Sequence, residues 1–313
     1  MNGATNYSAG SIQQLLIEAS HSLQDVTDTA RLDAEVLLAA ALEQDRSYLF
    51  TWPEREPPAT TQTRFLQNIE RRRQGVPVAY LTGTKEFWSM NFRVTSDTLI
   101  PRTDTETLVQ LAIDRLESKP GPVLDLGTGC GAIAISIARE CHNLIDDSRT
   151  VNSDSKGDLK NSAKSDAKSN ENIEIAATDN SVAALNIARE NARQLNACVS
   201  FYLSNWFTDL AAKQWQLIVS NPPYLGPDES HLRSLSHEPQ AALVAADNGL
   251  CDIIEIIQSA KNHLRPNGTL MLEHGAEQGS SVRTLMQKAG YHSVSTETDL
   301  ANRDRVTLGQ THE

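Results

Sequence analysis

Three alternating glycines separate two apolar segments between Pro122 and Ala138, and no other feature constrains the fold as strongly. The run Val-Leu-Asp-Leu before the glycines is typical of a short buried strand, and the apolar residues after them repeat at helical spacing. Glycine permits positive φ and close approach of a ligand to the backbone. The segment therefore predicts a strand, a tight turn and a helix, as in an α/β fold. Tight packing of the helix on the strand is the alternative explanation of the glycines.

The turn comprises Gly127, Thr128, Gly129, Cys130 and Gly131. Its spacing resembles the dinucleotide-binding fingerprint. The form G-x-G-x-G shortly after an aspartate is more similar to the loop that binds S-adenosylmethionine. In that version the amino-acid part of the cofactor lies beside the loop, and no pyrophosphate lies at the start of the helix.

An acidic residue that holds the ribose hydroxyls is expected at the end of the next strand, about 20 residues after the loop. Asp179 ends an apolar stretch, but it lies 48 residues beyond Gly131. Residues 142–171 explain the gap, because they are too poor in apolar side chains to bury a core. Without those 30 residues the separation of 48 falls to 18. We expect a disordered surface insertion there, with a partner-binding tail as the alternative.

A second motif, Asn221-Pro222-Pro223-Tyr224, directly follows an apolar run. Two successive prolines donate no backbone hydrogen bonds and end a strand. The Asn221 carboxamide is therefore expected at the carboxyl edge of the sheet, where open α/β sheets bind their ligands. One acceptor and two donors allow it to orient a flat amide or amino group, and Tyr224 adds an aromatic face. The motif favours transfer of a group to a planar nitrogen, with a plain strand and proline turn as the alternative.

The charge balance argues against duplex DNA as a substrate. The chain has 28 basic and 40 acidic side chains in 313 residues, a net charge of −12. A protein that grips duplex DNA normally has a basic face that displaces counterions from the phosphates. The largest basic run is Arg71-Arg72-Arg73. We therefore expect no duplex DNA partner, although a local basic patch is compatible with this composition.

The four cysteines show no C-x-x-C spacing, and the histidines do not cluster. Neither a zinc site nor a disulfide framework is expected, and reduced thiols are the simplest account. The polar residues 1–10 lack the apolar region of a signal peptide, and no apolar run reaches the ~20 residues of a membrane span. We expect a soluble, cytoplasmic and monomeric protein with no metal and no membrane partner.

The chain divides into a helical front part and an alternating part. Helical spacing of apolar residues and a serine cap predict a small helical domain over residues 1–78. Residues 79–100 predict a β-hairpin linker. Over residues 101–313 strands alternate with helices, which predicts a mostly parallel sheet covered on both faces. The front domain is expected to recruit a macromolecular substrate, with structural packing as the alternative.

Three further side chains are placed near the site by their position in the sequence. Trp206 follows a predicted strand, and its flat apolar surface suits an adenine ring; core packing is the alternative. Arg102 and Glu106 precede the glycine segment and form a surface pair, a helix-cap contact or part of the rim of the site. The sequence assigns no role to Glu238 or Glu273.

Together these segments resemble the release factor glutamine methyltransferases, the PrmC/HemK family, over nearly the whole chain apart from residues 142–171. The glycine loop and the Asn-Pro-Pro-Tyr motif occur in many methyltransferases, including those that act on DNA adenine. The Ile-Pro-Arg segment and the helical front domain are more specific to this family. The matching segments are residues 72–83, 86–88, 99–106, 125–131, 221–224 and 238–243.

The resemblance implies a Rossmann-like S-adenosylmethionine-dependent methyltransferase sheet behind a small helical domain. It implies that the cofactor contacts residues 127–131, Asp179, Trp206 and Asn221. It further implies that residues 221–224 hold the acceptor glutamine, with Asn221, Pro222 and Tyr224 as the catalytic residues.

The implied reaction is methylation of the side-chain nitrogen (N5) of the glutamine in the Gly-Gly-Gln motif of class 1 peptide chain release factors, which are the implied partners. An adenine-N6 DNA or RNA methyltransferase is the alternative, because adenine also presents a planar exocyclic amine. Such an enzyme would have to unstack the base and hold the phosphates. A non-catalytic cofactor-binding protein is a third possibility, which the intact loop and Asn221 disfavour.

Overall fold

The computed structural model of the chain describes residues 10–151, 173–210 and 212–313. Its packing divides the chain into two units. One unit runs up to Thr84 and includes Arg233–His237, and the other contains the remaining described residues. The sequence predicts a separate linker over residues 79–100, whereas most of that stretch belongs to the second unit.

The first unit is a helical bundle, as the apolar spacing predicts. Ser11 caps the first helix, where its hydroxyl accepts a hydrogen bond from the Gln14 amide at 3.4 Å. The core contains leucine and alanine side chains packed around Phe65, and Arg72 forms an ion pair with Asp33 at 2.7 Å. The helices are α1 (Ile12–Leu23), α2 (Ala30–Leu42), α3 (Arg46–Thr51), α4 (Ala59–Arg73) and α5 (Val78–Thr82).

The second unit contains a hairpin and a larger sheet with helices. The hairpin pairs β1 (Thr84–Phe87), whose first residue belongs to the first unit, with β2 (Met90–Arg93). The remaining helices are α6 (Glu106–Ser118), α7 (Ala132–Val151), α8 (Val182–Gln194), the short α9 (Ala246–Gly249), α10 (Cys251–Ala260) and α11 (Gly279–Lys288). The strands of the larger sheet are β3 (Val123–Leu126), β4 (Ile175–Asp179), β5 (Ser200–Leu203), β6 (Trp215–Ser220), β7 (Leu264–Glu273), β8 (His292–Thr298) and β9 (Asp304–Gln310).

The larger sheet has seven strands in the order β5-β4-β3-β6-β7-β9-β8. The first five are parallel, and β9 runs antiparallel to both β7 and β8. The strands β3 and β6 are buried along their whole length, as expected for a parallel sheet covered on both faces. The structure confirms the predicted α/β fold.

The strand order reverses at β3, because β4 and β5 lie on one side of it and β6 and β7 on the other. Open α/β sheets bind ligands at such a switch point, outside the carboxyl ends of the strands. Leu126 at the end of β3 pairs with both Thr178 and Ser220. The register therefore brings the first glycine of the loop, Asp179 and Asn221 to the same edge of the sheet.

The structure corrects the start of the predicted insertion. The sequence predicts disorder from residue 142, but α7 continues as a helix to Val151. No residue ends the helix at 142, because the first glycine or proline after Cys141 is Gly157, and leucine at position 144 favours a helix. Residues 152–171 of the predicted insertion lie outside the described residues.

Thiols, metal ligands and membrane-spanning helices bear on the chemistry of the chain. The four cysteines are all free thiols. Among the residues that the structure describes, no group of His, Cys, Asp and Glu side chains is arranged to hold a metal ion. None of the helices in the same ranges is both long enough and apolar enough to cross a membrane.

Candidate active site

The three glycines of the loop have different surroundings. All three have positive φ, +70° at Gly127, +56° at Gly129 and +88° at Gly131. A Cβ at Gly129 would meet nothing within 4 Å, whereas a Cβ at Gly131 would lie 2.7 Å from Ile135 Cδ1. A Cβ at Gly127 would lie 3.3 Å from the ring of Trp206. Gly129 therefore borders open space, while Gly131 permits α7 to pack closely.

Asp179 connects the loop to the end of β4. Its carboxylate accepts hydrogen bonds from the amides of Gly129 and Ser181, each at 2.9 Å. Burial raises the pKa of Asp179, and these backbone hydrogen bonds oppose that shift. A carboxylate has about four acceptor positions. The bond from Gly129 holds the glycine loop, the bond from Ser181 holds the start of α8, and a position not used by the backbone can accept a hydroxyl group of a ligand.

Asp125 has a structural contact within the loop. It is fully buried, and one carboxylate oxygen accepts a hydrogen bond from the Thr128 hydroxyl at 2.7 Å. Burial raises the pKa of Asp125 to about 7.

Asn191 also supports the loop, because its side-chain amide donates to the Cys130 carbonyl at 2.8 Å and to the Arg93 carbonyl at 3.0 Å.

Trp206 is held in an unusual backbone conformation, with φ +48°. The Ser204 hydroxyl fixes this turn, since it donates to the Trp206 carbonyl at 3.0 Å and accepts from the Asp209 amide at 3.1 Å. The indole ring packs partly against the core of the sheet and faces Gly127. The turn thus presents a flat aromatic surface next to the glycine loop.

A cavity of about 370 Å³ lies at this edge of the sheet. Small-molecule sites typically measure about 300–1,000 Å³. Six of the predicted site residues line it together, namely Gly127, Gly129, Asp179, Trp206, Asn221 and Pro223. The other lining residues are Ser96, Asp97, Thr98, Leu99, Asn180, Ser181, Ala184, Ser204, Asn205, Pro239, Ala241, Ala242 and Asp252.

The remaining predicted residues lie elsewhere in the same region. Within the described part of the chain, the cavity lining does not include Thr128, Cys130, Gly131, Pro222 or Tyr224. The Cys130 thiol is buried, and burial raises its pKa to about 12. It is therefore an inert neutral side chain. Pro222 is buried directly after β6.

The Asn221 carboxamide is half-buried, and its amide group donates a hydrogen bond to Thr105 Oγ1 at 3.2 Å. Thr105 precedes α6 and is itself buried. With its NH2 group engaged by a protein oxygen, the carboxamide can present its oxygen as an acceptor. The structure thus places an oriented amide at the rim of the cavity.

Tyr224 is fixed by its backbone. Gln278 Nε2 donates to the Tyr224 carbonyl at 3.0 Å. A Cβ at Gly249 would lie only 2.0 Å from that carbonyl oxygen. The ring packs against the core of the sheet, and burial, assisted by the nearby Glu273, raises the pKa of Tyr224 to about 12.

Arg102 and Glu106 do not form the surface pair that the sequence suggests. Arg102 forms an ion pair with the buried Glu238. Glu238 also accepts a hydrogen bond from the Ile100 amide at 3.1 Å. Glu106 accepts a hydrogen bond from the Trp88 amide at 2.9 Å. These contacts fix the chain on either side of the lining residues 96–99. Residues 96–98 carry no motif, so the sequence does not mark them, whereas Leu99 begins the matching segment 99–106.

The chain matches two family models. One, described as the PrmC N-terminal domain, matches residues 14–83, and the other, described as a methyltransferase domain, matches residues 117–305. The release factor glutamine methyltransferase of Vibrio cholerae is 41% identical over 308 residues, which cover 96% of each chain. The protein of that name from Shewanella oneidensis is 39% identical over 91% of this chain and 90% of its own. The Escherichia coli protein of that name is 38% identical over 95% of this chain and 98% of its own.

Proposed function

The chain belongs to the release factor glutamine methyltransferase family, and from this we propose that it methylates a glutamine side chain of a release factor. The methyl donor is S-adenosylmethionine, and the acceptor is N5 of the glutamine in the Gly-Gly-Gln motif of class 1 peptide chain release factors. We propose the helical first unit as the recruiting domain. It exposes the large apolar side chains Phe50 and Trp52, which are 58% and 39% accessible.

The donor half of the cavity fits the cofactor. Gly129 leaves room for a ligand close to the backbone, Asp179 has acceptor positions for ribose hydroxyls, and Trp206 provides an aromatic surface for a base. When bound, S-adenosylmethionine supplies a methyl group that the sulfonium already activates. The protein's task is therefore placement and electrostatic stabilisation.

The acceptor half centres on Asn221. An amide nitrogen is a weak nucleophile, because its lone pair is delocalised into the carbonyl. The Asn221 oxygen and the Pro222 carbonyl would each accept a hydrogen bond from the glutamine NH2. These contacts aim the nitrogen and favour the positive charge that grows on it. Tyr224 would pack against the amide plane, and the nitrogen can lose its proton after transfer, so no general base is needed.

The observation that carries this proposal is the Asn221–Thr105 hydrogen bond at the edge where the glycine loop and Asp179 meet. It leaves the carboxamide oxygen as the available acceptor. A glutamine NH2 is a complementary donor.

The test offers radiolabelled S-adenosylmethionine with purified release factor, DNA and RNA, and follows which of them acquires label. We expect label on the glutamine of the release factor only. Asn221→Ala should lower turnover at least about 100-fold, while the Kd for S-adenosylmethionine, measured by calorimetry, changes little. Label on nucleic acid alone would overturn the substrate assignment, and near-normal turnover of Asn221→Ala would overturn the mechanism.

A further inference from the structure

Glu273 is a buried carboxyl group that the proposed reaction does not use. It is the last residue of β7, and Leu272 before it pairs with Ser220 before Asn221. It is 1% exposed, and in the part of the chain that the structure describes neither carboxylate oxygen accepts a well-formed hydrogen bond, although the Thr105 hydroxyl and the Asn221 carboxamide lie close enough to lower its pKa. Buried carboxyl groups are normally hydrogen-bonded or paired. This one therefore needs a physical explanation.

The groups that face this carboxyl come from three other parts of the second unit. Burial raises the pKa of Glu273 to about 7, and the adjacent Thr105 hydroxyl, Arg305 and the Asn221 carboxamide lower it, while Asp104 raises it. Thr105 and Asn221 are also bonded to each other at 3.2 Å. Glu273 and Thr105, which are buried, and the half-buried Asn221 therefore form one polar cluster beside the cavity.

Tyr224 also faces Glu273, and burial together with this carboxyl raises the pKa of the phenol to about 12. The phenol is therefore neutral at physiological pH. The adjacent His274 is directed elsewhere, since its ring nitrogens contact the Gly275 carbonyl and Thr307 Oγ1 at 2.9 and 2.8 Å. Glu273 is thus the one group of this cluster that can change its charge near neutral pH.

We propose that Glu273 is a positioning residue that acts through Thr105 to fix which end of the Asn221 carboxamide faces the acceptor. The inference rests on the proposed function and adds a residue to it. An ionised carboxylate only accepts hydrogen bonds. The single hydroxyl hydrogen of Thr105 is then directed to Glu273, and the Thr105 oxygen is left to accept the Asn221 NH2 group.

This chain of hydrogen bonds has one direction. The Asn221 NH2 group donates to Thr105, and the Thr105 hydroxyl would donate to the ionised Glu273, so the Asn221 oxygen points away from the cluster. The reversed carboxamide would present NH2 to the NH2 of a glutamine, which places two donors together. It would also place its oxygen beside an anion.

Protonation of Glu273 removes this preference for one orientation of the Asn221 carboxamide. A neutral carboxyl group can donate as well as accept, so Thr105 can donate to Asn221 and stabilise the reversed carboxamide. The anion also strengthens the chain, because hydrogen bonds to charged groups are about twice as strong as neutral ones. We therefore expect the methyl-transfer rate to rise with pH between about 6 and 8, around the pKa of Glu273 near 7.

The test measures the single-turnover rate of release factor methylation against pH for the full chain and for Glu273→Gln. Glutamine keeps the shape but cannot be an anion. We expect the rate of the variant at pH 8 to be about 10- to 150-fold lower, the equivalent of one charge-assisted hydrogen bond. Its rate should be flat between pH 6 and 8. Thr105→Val should show the same two changes, and the double variant should be no slower than either single one.

Thr269→Val is the matched control, because Thr269 is buried on the same strand but its hydroxyl accepts from Arg115 Nε at 2.9 Å. We expect this variant to keep the rise in rate with pH. If Asn221→Ala is inactive but Glu273→Gln keeps both the rate and its pH dependence, the positioning role is wrong and the proposed function stands. If Asn221→Ala is active, the proposed mechanism itself is wrong.

Discussion

Replacing Gly129 by alanine separates the fold of the glycine loop from cofactor binding. Gly129 has φ +56°, and a Cβ there would meet no heavy atom of the protein within 4 Å. The left-handed backbone costs an alanine about 1–2 kcal/mol. Because no atom has to move, we expect the free energy of unfolding, measured by urea denaturation, to fall by that amount and no more.

The effect on binding should be larger than the effect on stability. Gly129 lines the cavity, so the added methyl group occupies space that the cofactor would fill. Overfilling a packed site costs about 1–3 kcal/mol, which corresponds to an increase of about 5- to 150-fold in Kd. Calorimetric titration with S-adenosylmethionine measures this change directly.

Two other glycines provide the controls. Gly83→Ala has the same backbone cost, because φ is +76° and nothing lies within 4 Å, but Gly83 belongs to the first unit. Its cofactor Kd should equal that of the unchanged chain. Gly131→Ala adds a contact at 2.7 Å with Ile135 Cδ1, so its free energy of unfolding should fall more than that of Gly129→Ala or Gly83→Ala. A Gly129→Ala protein that binds the cofactor normally would refute the placement of the cofactor beside the loop.

Two further predictions concern residues behind the cavity. Gly249→Ala would put a Cβ 2.0 Å from the Tyr224 carbonyl oxygen, so the turn after Asn221 should shift. The single-turnover rate of methylation should fall at least about tenfold, with little change in the Kd for the cofactor. An unchanged rate would contradict this. Burial raises the pKa of Asp125 from 3.8 to about 7, so the folded state binds the extra proton in this range and stability decreases as pH rises through it. The free energy of unfolding of Asp125→Asn, relative to that of the unchanged chain, should therefore rise by up to about 4 kcal/mol between pH 4 and pH 8. If the two curves of unfolding free energy against pH are parallel, this carboxyl does not titrate as stated.

The features that could be predicted from the sequence are those encoded within one short segment. The spacing of apolar residues predicted the helices and strands, and the glycine loop and Asp179 were placed at strand ends because each directly follows an apolar run. The position of Asn221 followed in the same way from two prolines after a strand. In each case the local backbone rule and the sheet topology agree.

The contacts that orient these residues could not be predicted in this way. Thr105 bonds to Asn221 from 116 residues away, and Glu238 reaches the Ile100 amide across 138 residues. Such pairs are joined only by the packing of α6 and the loops against the sheet, and no spacing rule encodes that distance. Of the alternatives for Arg102 and Glu106, the surface pair is not the one found, since Arg102 pairs with Glu238 and Glu106 binds the Trp88 amide. Nearness in sequence does not decide which partner a side chain has.

The glycine loop shows how one motif can combine separate requirements. All three glycines have positive φ, so the backbone alone would favour glycine at each position. Only the surroundings distinguish them: Gly129 borders open space, Gly127 faces an aromatic ring, and Gly131 lies against Ile135 and Ala188. A G-x-G-x-G pattern is therefore partly a packing motif and partly a binding motif. Substitutions within it should separate loss of stability from loss of cofactor affinity.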